Sequence, residues 1–220
     1  MQKFDTAAAI TAVLDIPAGR VQLIAADRAD TTVEVRPANA AKNRDVQAAE
    51  QTTVTYTDGV LTVRVPEGKS RLSGAGSVEV TVQLPAGSAV EGKAAATELR
   101  VVGRLGDLAF DGAYRQIKID EADGVRLTAV DGDVEIGRLN GPAGISTTRG
   151  TIRIAQASRG TVVLGTQLGD ITVGAAPGVS ATLDAATGYG RISNALRNDG
   201  TAALDIRATT TQGDITARSI

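Results

Sequence analysis

Three features of the sequence predict an all-β solenoid, a stack of roughly 20-residue coils. First, a short phrase recurs: Gly106-Asp-Leu-Ala-Phe110, Gly132-Asp-Val-Glu-Ile136, Gly150-Thr-Ile-Arg-Ile154, Gly169-Asp-Ile-Thr-Val173, Gly190-Arg-Ile-Ser193 and Gly213-Asp-Ile-Thr-Ala217. Its glycines stand 26, 18, 19, 21 and 23 residues apart, a spacing typical of arrays built from one repeated unit. Second, apolar and polar residues alternate inside the phrase, as in Val134 and Ile136 against Asp133 and Glu135. A strand turns successive side chains to opposite faces, so each phrase has one apolar face. Third, a second alternating run precedes most of the glycines, with anchors at Leu127, Ile145, Leu164, Leu183 and Ile206. Each repeat therefore reads as two short strands. One unit cannot bury a core alone, whereas stacked units share a continuous apolar column. The residue two after each anchor is small (Ala129, Thr147, Thr166, Ala185, Ala208), which suits a narrow, close-packed interior. The glycine supplies a positive φ at the corner, and the Asp that often follows tolerates turn geometry.

From the N-terminus, Ala9 to Ile16 alternates and Pro17-Ala18-Gly19 turns the chain. Arg20 to Leu23 and Thr32 to Arg36 then read as strands, the latter closed by Pro37. Residues 38–51 are polar and Ala-rich, which predicts a loop with at most one helical turn. Thr57-Asp58-Gly59 between two alternating runs predicts a hairpin. A flexible, weakly basic loop is expected over 66–76. Ser77 to Leu84 is the clearest strand. Pro85-Ala86-Gly87 repeats Pro17-Ala18-Gly19, and Gly137-Arg-Leu139 repeats Gly103-Arg-Leu105. The stretch Ala113 to Ile119 diverges most and predicts an inserted strand, which would explain the first, longest spacing. The chain divides into an N-terminal β region and cap, 1–92, and the solenoid repeats, 93–220, as one continuous unit.

Val80-Thr-Val-Gln-Leu-Pro-Ala-Gly87 followed by recurring Gly-Asp-[Ile/Val/Leu]-x-[Ile/Val] resembles the bacterial putative-adhesin family of β-strand-repeat proteins of unknown function. The likeness covers most of the chain. It implies a single-stranded right-handed β-helix or β-roll, and it brings no catalytic residues.

The composition narrows the chemistry. The chain has 220 residues, a formal net charge of −2, no Cys, no His and five aromatics. Disulfides and thiolate metal sites are excluded. The commonest general base and nitrogen ligand is absent too. A pI near 5.3 argues against nucleic acid as a partner. No apolar run is long enough to span a bilayer, and the N-terminus lacks the pattern of a signal peptide. A cytoplasmic protein without membrane insertion is expected.

Asp107, Asp133, Asp170 and Asp214 follow the repeated glycine and are expected to form an outward ladder, with Thr151 and Arg191 at the intervening places. Turn chemistry on a solvated face is preferred over a stripe that recognises a cation or glycan. One Asp per coil is too dilute for Ca²⁺, which takes six to eight oxygens. Asp133 and Glu135 share a strand face roughly 7 Å apart, inside the ~6.5–9.5 Å range of inverting glycosidases. The sequence offers few aromatic platforms for a sugar, so a solvated pair is preferred. Ser residues have no His partner, which argues against nucleophilic catalysis. Arg149, Arg153 and Arg159, and likewise Arg191, Arg197 and Arg207, offer anionic-partner patches against a default of scattered charge. Tyr114 and Tyr189 are expected at corners, as packing.

The reading is a non-enzymatic interaction or self-assembly protein with no cofactor and no metal site. A surface adhesin and a carbohydrate-active β-helix enzyme are the alternatives. A protein partner is allowed, and a homodimer is expected through an open C-terminal end. The last phrase ends at Ala217, which leaves nothing in the sequence to cap the final coil.

Overall fold

The computed structural model describes residues 1–66 and 76–220, so the interior of the loop expected over 66–76 lies outside the described residues. The N-terminal strands are β1 (Gln2–Asp5), β2 (Thr11–Asp15), β3 (Ala18–Ala26) and β4 (Asp30–Pro37). Helix α1 (Asn43–Gln51) follows, then β5 (Thr53–Thr57), β6 (Val60–Arg64) and β7 (Val78–Pro85). A very long element, β8 (Ala89–Asp131), winds through several corners without losing strand geometry. Then come β9 (Val134–Leu139), β10 (Ala143–Arg149), β11 (Ile152–Ala157), β12 (Gly160–Leu168) and β13 (Ile171–Ala175). The last are β14 (Ala181–Tyr189), β15 (Ile192–Ala195), β16 (Leu204–Gln212) and β17 (Ile215–Ser219). The chain is all-β as expected, with one correction: residues 43–51 form a nine-residue helix rather than a loop with one turn. Ala48 and Ala49 pack on the core. The buried Asp45 accepts the Ser77 N–H at 3.0 Å, which fixes the helix's first turn.

The strands form two facing layers around one apolar column that runs from Ile10 to Ala217. The front layer stacks β6, β2, limbs of β8, β10, β12, β16 and β14 in parallel. The back layer stacks β7, β3, limbs of β8, β9, β11, β13, β17 and β15 in parallel. Inward rows run straight through the stack, for example Ile136, Ile154, Val173, Ala217 and Asn194 at the back.

Register corrects the sequence reading in three places. Leu183 and Ile206 stack on Val162, not on Leu164, whose row continues through Ala208 to Ala185. The small residues form a separate row, Ala129, Thr147, Thr166, Thr210 and Thr187. No strand is inserted near Ala113: Ile117 to Ala122 pairs directly with β9 as an ordinary back limb. The long first spacing arises because Gly106 sits at the opposite corner, where its N–H donates to Ser88 O at 2.9 Å.

The corner between front and back layers explains both the glycines and the threonines. Gly132, Gly150, Gly169, Gly213 and Gly190 all hold φ between 133° and 157°. A Cβ on Gly213 would stand 2.0 Å from Gly169 O. The corner carbonyls need donors, and inward threonines provide them, Thr166 and Thr210 buried and Thr187 half-buried. Thr166 Oγ1 donates to Gly150 O at 3.1 Å, Thr210 to Gly169 O at 3.0 Å and Thr187 to Gly213 O at 2.9 Å. Each hydroxyl is satisfied and each coil is fastened to its neighbour.

At the N-terminal end, β5 and β4 run antiparallel to β6 and β7, and β1 adds to β4. Phe4 and Tyr56 lie over the end of the column with ring centroids 5.5 Å apart. Asp30 ties β1 down: it accepts from Arg28 Nε at 2.7 Å and pairs with Lys3 Nζ at 3.1 Å. Arg28 first, then Lys3, lowers its pKa to about 2. The folded value lies below the ordinary 3.8, so the stabilisation is complete above that value and is lost as pH falls toward about 2. Acidification across this window is expected to change Tyr56 fluorescence, and Asp30→Asn should remove that transition. A transition that persists unchanged in Asp30→Asn would show that other carboxylates govern it.

The C-terminal end departs from expectation. β16 pairs with β12 on one side and β14 on the other, and β17 lies between β13 and β15 in the same way. The last coil in sequence is thus the second to last in space. The open C-terminal coil expected to drive dimerisation does not exist, because the chain covers it with its own β14–β15 coil. Ala185, Thr187 and Asn194 face inward on that outermost coil together with Leu183 and Ile192, and Ile192 is left 47% exposed.

Candidate functional site

The structure divides the expected Asp ladder. Asp133, Thr151, Asp170, Asp214 and Arg191 follow one another along the glycine corner. Asp107 does not belong to them: it starts a front limb at the other corner, beside Gly124 and Pro142. At the glycine corner each carboxylate is occupied by the next coil. Thr151 N–H donates to Asp133 Oδ1, Asp214 N–H to Asp170 Oδ1 and Arg191 N–H to Asp214 Oδ1, all at 2.8 Å. The chain turns there, so these amides take a side-chain acceptor in place of a ladder carbonyl. The ladder is a fastening between coils. Its partner row of inward threonines was missed by sequence reasoning, although Thr-x-x-Gly precedes the phrase at Thr147, Thr166, Thr187 and Thr210.

The other candidates are also engaged or separated. Glu135 pairs with Lys118 at 3.2 Å while Asp133 holds Thr151, so this pair is built into the scaffold. Arg149 closes a front strand and pairs with Asp131 at 3.6 Å; Arg153 lies on the back layer; Arg159 Nε donates to Asn140 O at the far corner. Arg191 pairs with Asp214 at 3.5 Å and Arg207 with Asp205 at 3.0 Å on different layers. Neither arginine group forms a patch. Tyr114 lies 5.9 Å from the Arg115 guanidinium, and Tyr189, 76% exposed, stands free on the outermost coil.

What the fold does assemble is a groove on the outer front face. Two adjoining depressions of about 750 and 620 Å³ share Glu91, Ala109 and Arg126. Small residues at Ala89, Ala109 and Gly144 keep the floor low, and charged side chains from successive coils make the walls. Asp15 lies between Arg64 and Lys93 in register, so charge alternates along the groove. Asp15 already pairs with Arg64 at 3.5 Å. Beneath the floor, Gly92 leaves space for Phe110: a Cβ there would stand 2.3 Å from the ring.

A continuous stack of this kind, with the glycine phrase at one corner, is matched along almost its whole length by one family description, Toastrack DUF4097, over residues 13–219. The chain belongs to the Toastrack DUF4097 family. Solved structures with a related chain path include a putative adhesin from Bacteroides fragilis, 14% identical, with a TM-score of 0.57 over 100% of this chain and 95% of that one. A putative cell adhesion protein from Clostridium sporogenes is 12% identical, with a TM-score of 0.41 over 100% of this chain and 98% of that one. The first of these supports the fold alone. No curated protein matches the sequence. Among the described residues, no helix is long and apolar enough to cross a membrane.

Proposed function

We propose that this Toastrack chain is a non-catalytic binding protein of the cytoplasm, a right-handed solenoid whose front groove takes an extended segment of a protein partner. The right hand is the sense that strand–crossover–strand units adopt almost without exception. The groove carries the reading: it runs across several coils, has a low floor, and alternates charge in its walls as a mixed-charge polypeptide would require. Engagement of Asp133 and Glu135 within the scaffold supports a binding role over hydrolysis. The test compares wild type with a Glu91→Ala/Arg126→Ala variant of equal melting temperature. Wild type is expected to retain a protein from host extract that the variant releases. Equal retention, or none by either, would refute the groove. A second reading, surface adhesion, takes its support from the Bacteroides fragilis neighbour, a putative adhesin. Fractionation of the host decides between them, with cytoplasm expected in the first case and the cell surface in the second.

A further inference from the structure

We propose that the β16–β17 coil is exchanged between copies of this chain, each copy seating it in the slot between the partner's β12–β13 and β14–β15 coils. The inference is independent of the groove and rests on the order of the coils. From β12 the chain passes through β13 to β14, two places outward; from β14 it passes through β15 to β16, one place back. All these strands are parallel, so the chain circulates in one sense throughout. Reversed travel with unchanged circulation means that the β14–β15–β16 crossover is wound with the opposite hand to the rest. With the stack right-handed, the hand proposed above and on which this inference rests, that crossover is left-handed, and left-handed crossovers are strongly disfavoured. Removing the coil to a second copy relieves that crossover and keeps every contact the coil makes.

The link permits it. After β9 the other back-to-front connections occupy 140–142, 158–159 and 176–180, whereas 196–203 is the longest of these and is exposed apart from the half-buried Leu196. Its bonds to neighbouring coils run from Arg197 N–H to Ser219 Oγ at 2.8 Å, Asp199 N–H to Ser180 Oγ at 3.1 Å and Ala203 N–H to Ser180 O at 2.9 Å, while Arg197 O and Ala203 O accept from Ala181 N–H at 2.9 Å and Gly160 N–H at 2.8 Å; all of these can re-form when the coil is seated in a second copy. The slot accepts an identical coil by construction, since Leu204 to Gln212 pairs residue for residue with both walls. Reciprocal exchange gives a two-fold dimer, the commonest closed symmetry.

The chain has no Cys, which makes the test clean. Val163 and Arg207 are register partners across β12 and β16, and both are exposed. Full-length Val163→Cys and Arg207→Cys chains are unfolded together, refolded at high concentration, oxidised and run on a non-reducing denaturing gel. A covalent heterodimer is expected, rising several-fold with refolding concentration and absent when the two chains are folded separately and then mixed. The double variant Val163→Cys/Arg207→Cys, folded dilute, should close its disulfide within one chain. No excess of heterodimer in the co-refolded sample overturns the exchange. Failure of the double variant to close overturns it too, because β16 would then not lie beside β12.

Discussion

Replacing Leu164 with Asp is expected to unfold the protein near room temperature. Leu164 is 1% exposed and stacked between Ile145 and Ala208 in the middle of the column. Losing a buried Leu costs about 2–5 kcal/mol, and an unpaired carboxylate in that place adds several more. The sum approaches the ~5–15 kcal/mol that holds a typical domain together. Asp170→Ala is the informative contrast. Asp170 is exposed, yet its Oδ1 accepts the Asp214 N–H at 2.8 Å. Its loss is expected to cost about 1 kcal/mol, more than a free surface Asp and far less than Leu164→Asp. Urea titrations of the two variants check both values. Similar midpoints for the two would mean that the assignment of inward and outward faces is wrong.

Gly213→Ala is expected to destabilise the protein by about 2 kcal/mol. Backbone at φ +148° is poorly accessible to a residue with a Cβ, and that Cβ would lie 2.0 Å from Gly169 O. Relief requires the two coils to part, which also breaks the Thr210 bond to the same carbonyl. Gly144→Ala is the control. It lies within a strand with nothing within 4 Å of the added carbon. The added methyl should be neutral or stabilise by about 0.5–1 kcal/mol, because glycine is unfavourable inside a strand. Thermal melts of both variants measure the difference. A Gly213→Ala protein as stable as wild type would refute the corner geometry.

Much of the scaffold was legible because the signals are local. Alternation around Val134, Ile152 and Ile171 placed their side chains inside, where all three are buried. The repeated glycine marked a corner because that corner stacks carbonyl against Cα, as Gly169 O does against Gly213. Asp107 was misplaced because Gly-Asp-Leu-Ala-Phe satisfies the same local pattern at the opposite corner, and sequence does not say which corner a turn occupies. Leu183 and Ile206 were set two residues out of register for a related reason. Leu, Ile, Ala and Thr alternate at period two along the whole front limb, so a slip of two keeps every apolar residue inside. The groove was invisible in the sequence because its walls come from β6, β2, β8 and β10, whose neighbourhood exists only after coiling.

The sequence by itself determined that the chain would be strands, where its corners would fall, and which side chains would share the interior. Those properties follow from backbone sterics and side-chain alternation within a few residues. Only the tertiary structure decided the order of the coils. Each coil offers its neighbours the same parallel edge and nearly the same apolar row, so β12 could pair with β14 or β16 at little difference in local energy. What breaks the tie lies along the chain, in the longer connections at 176–180 and 196–203.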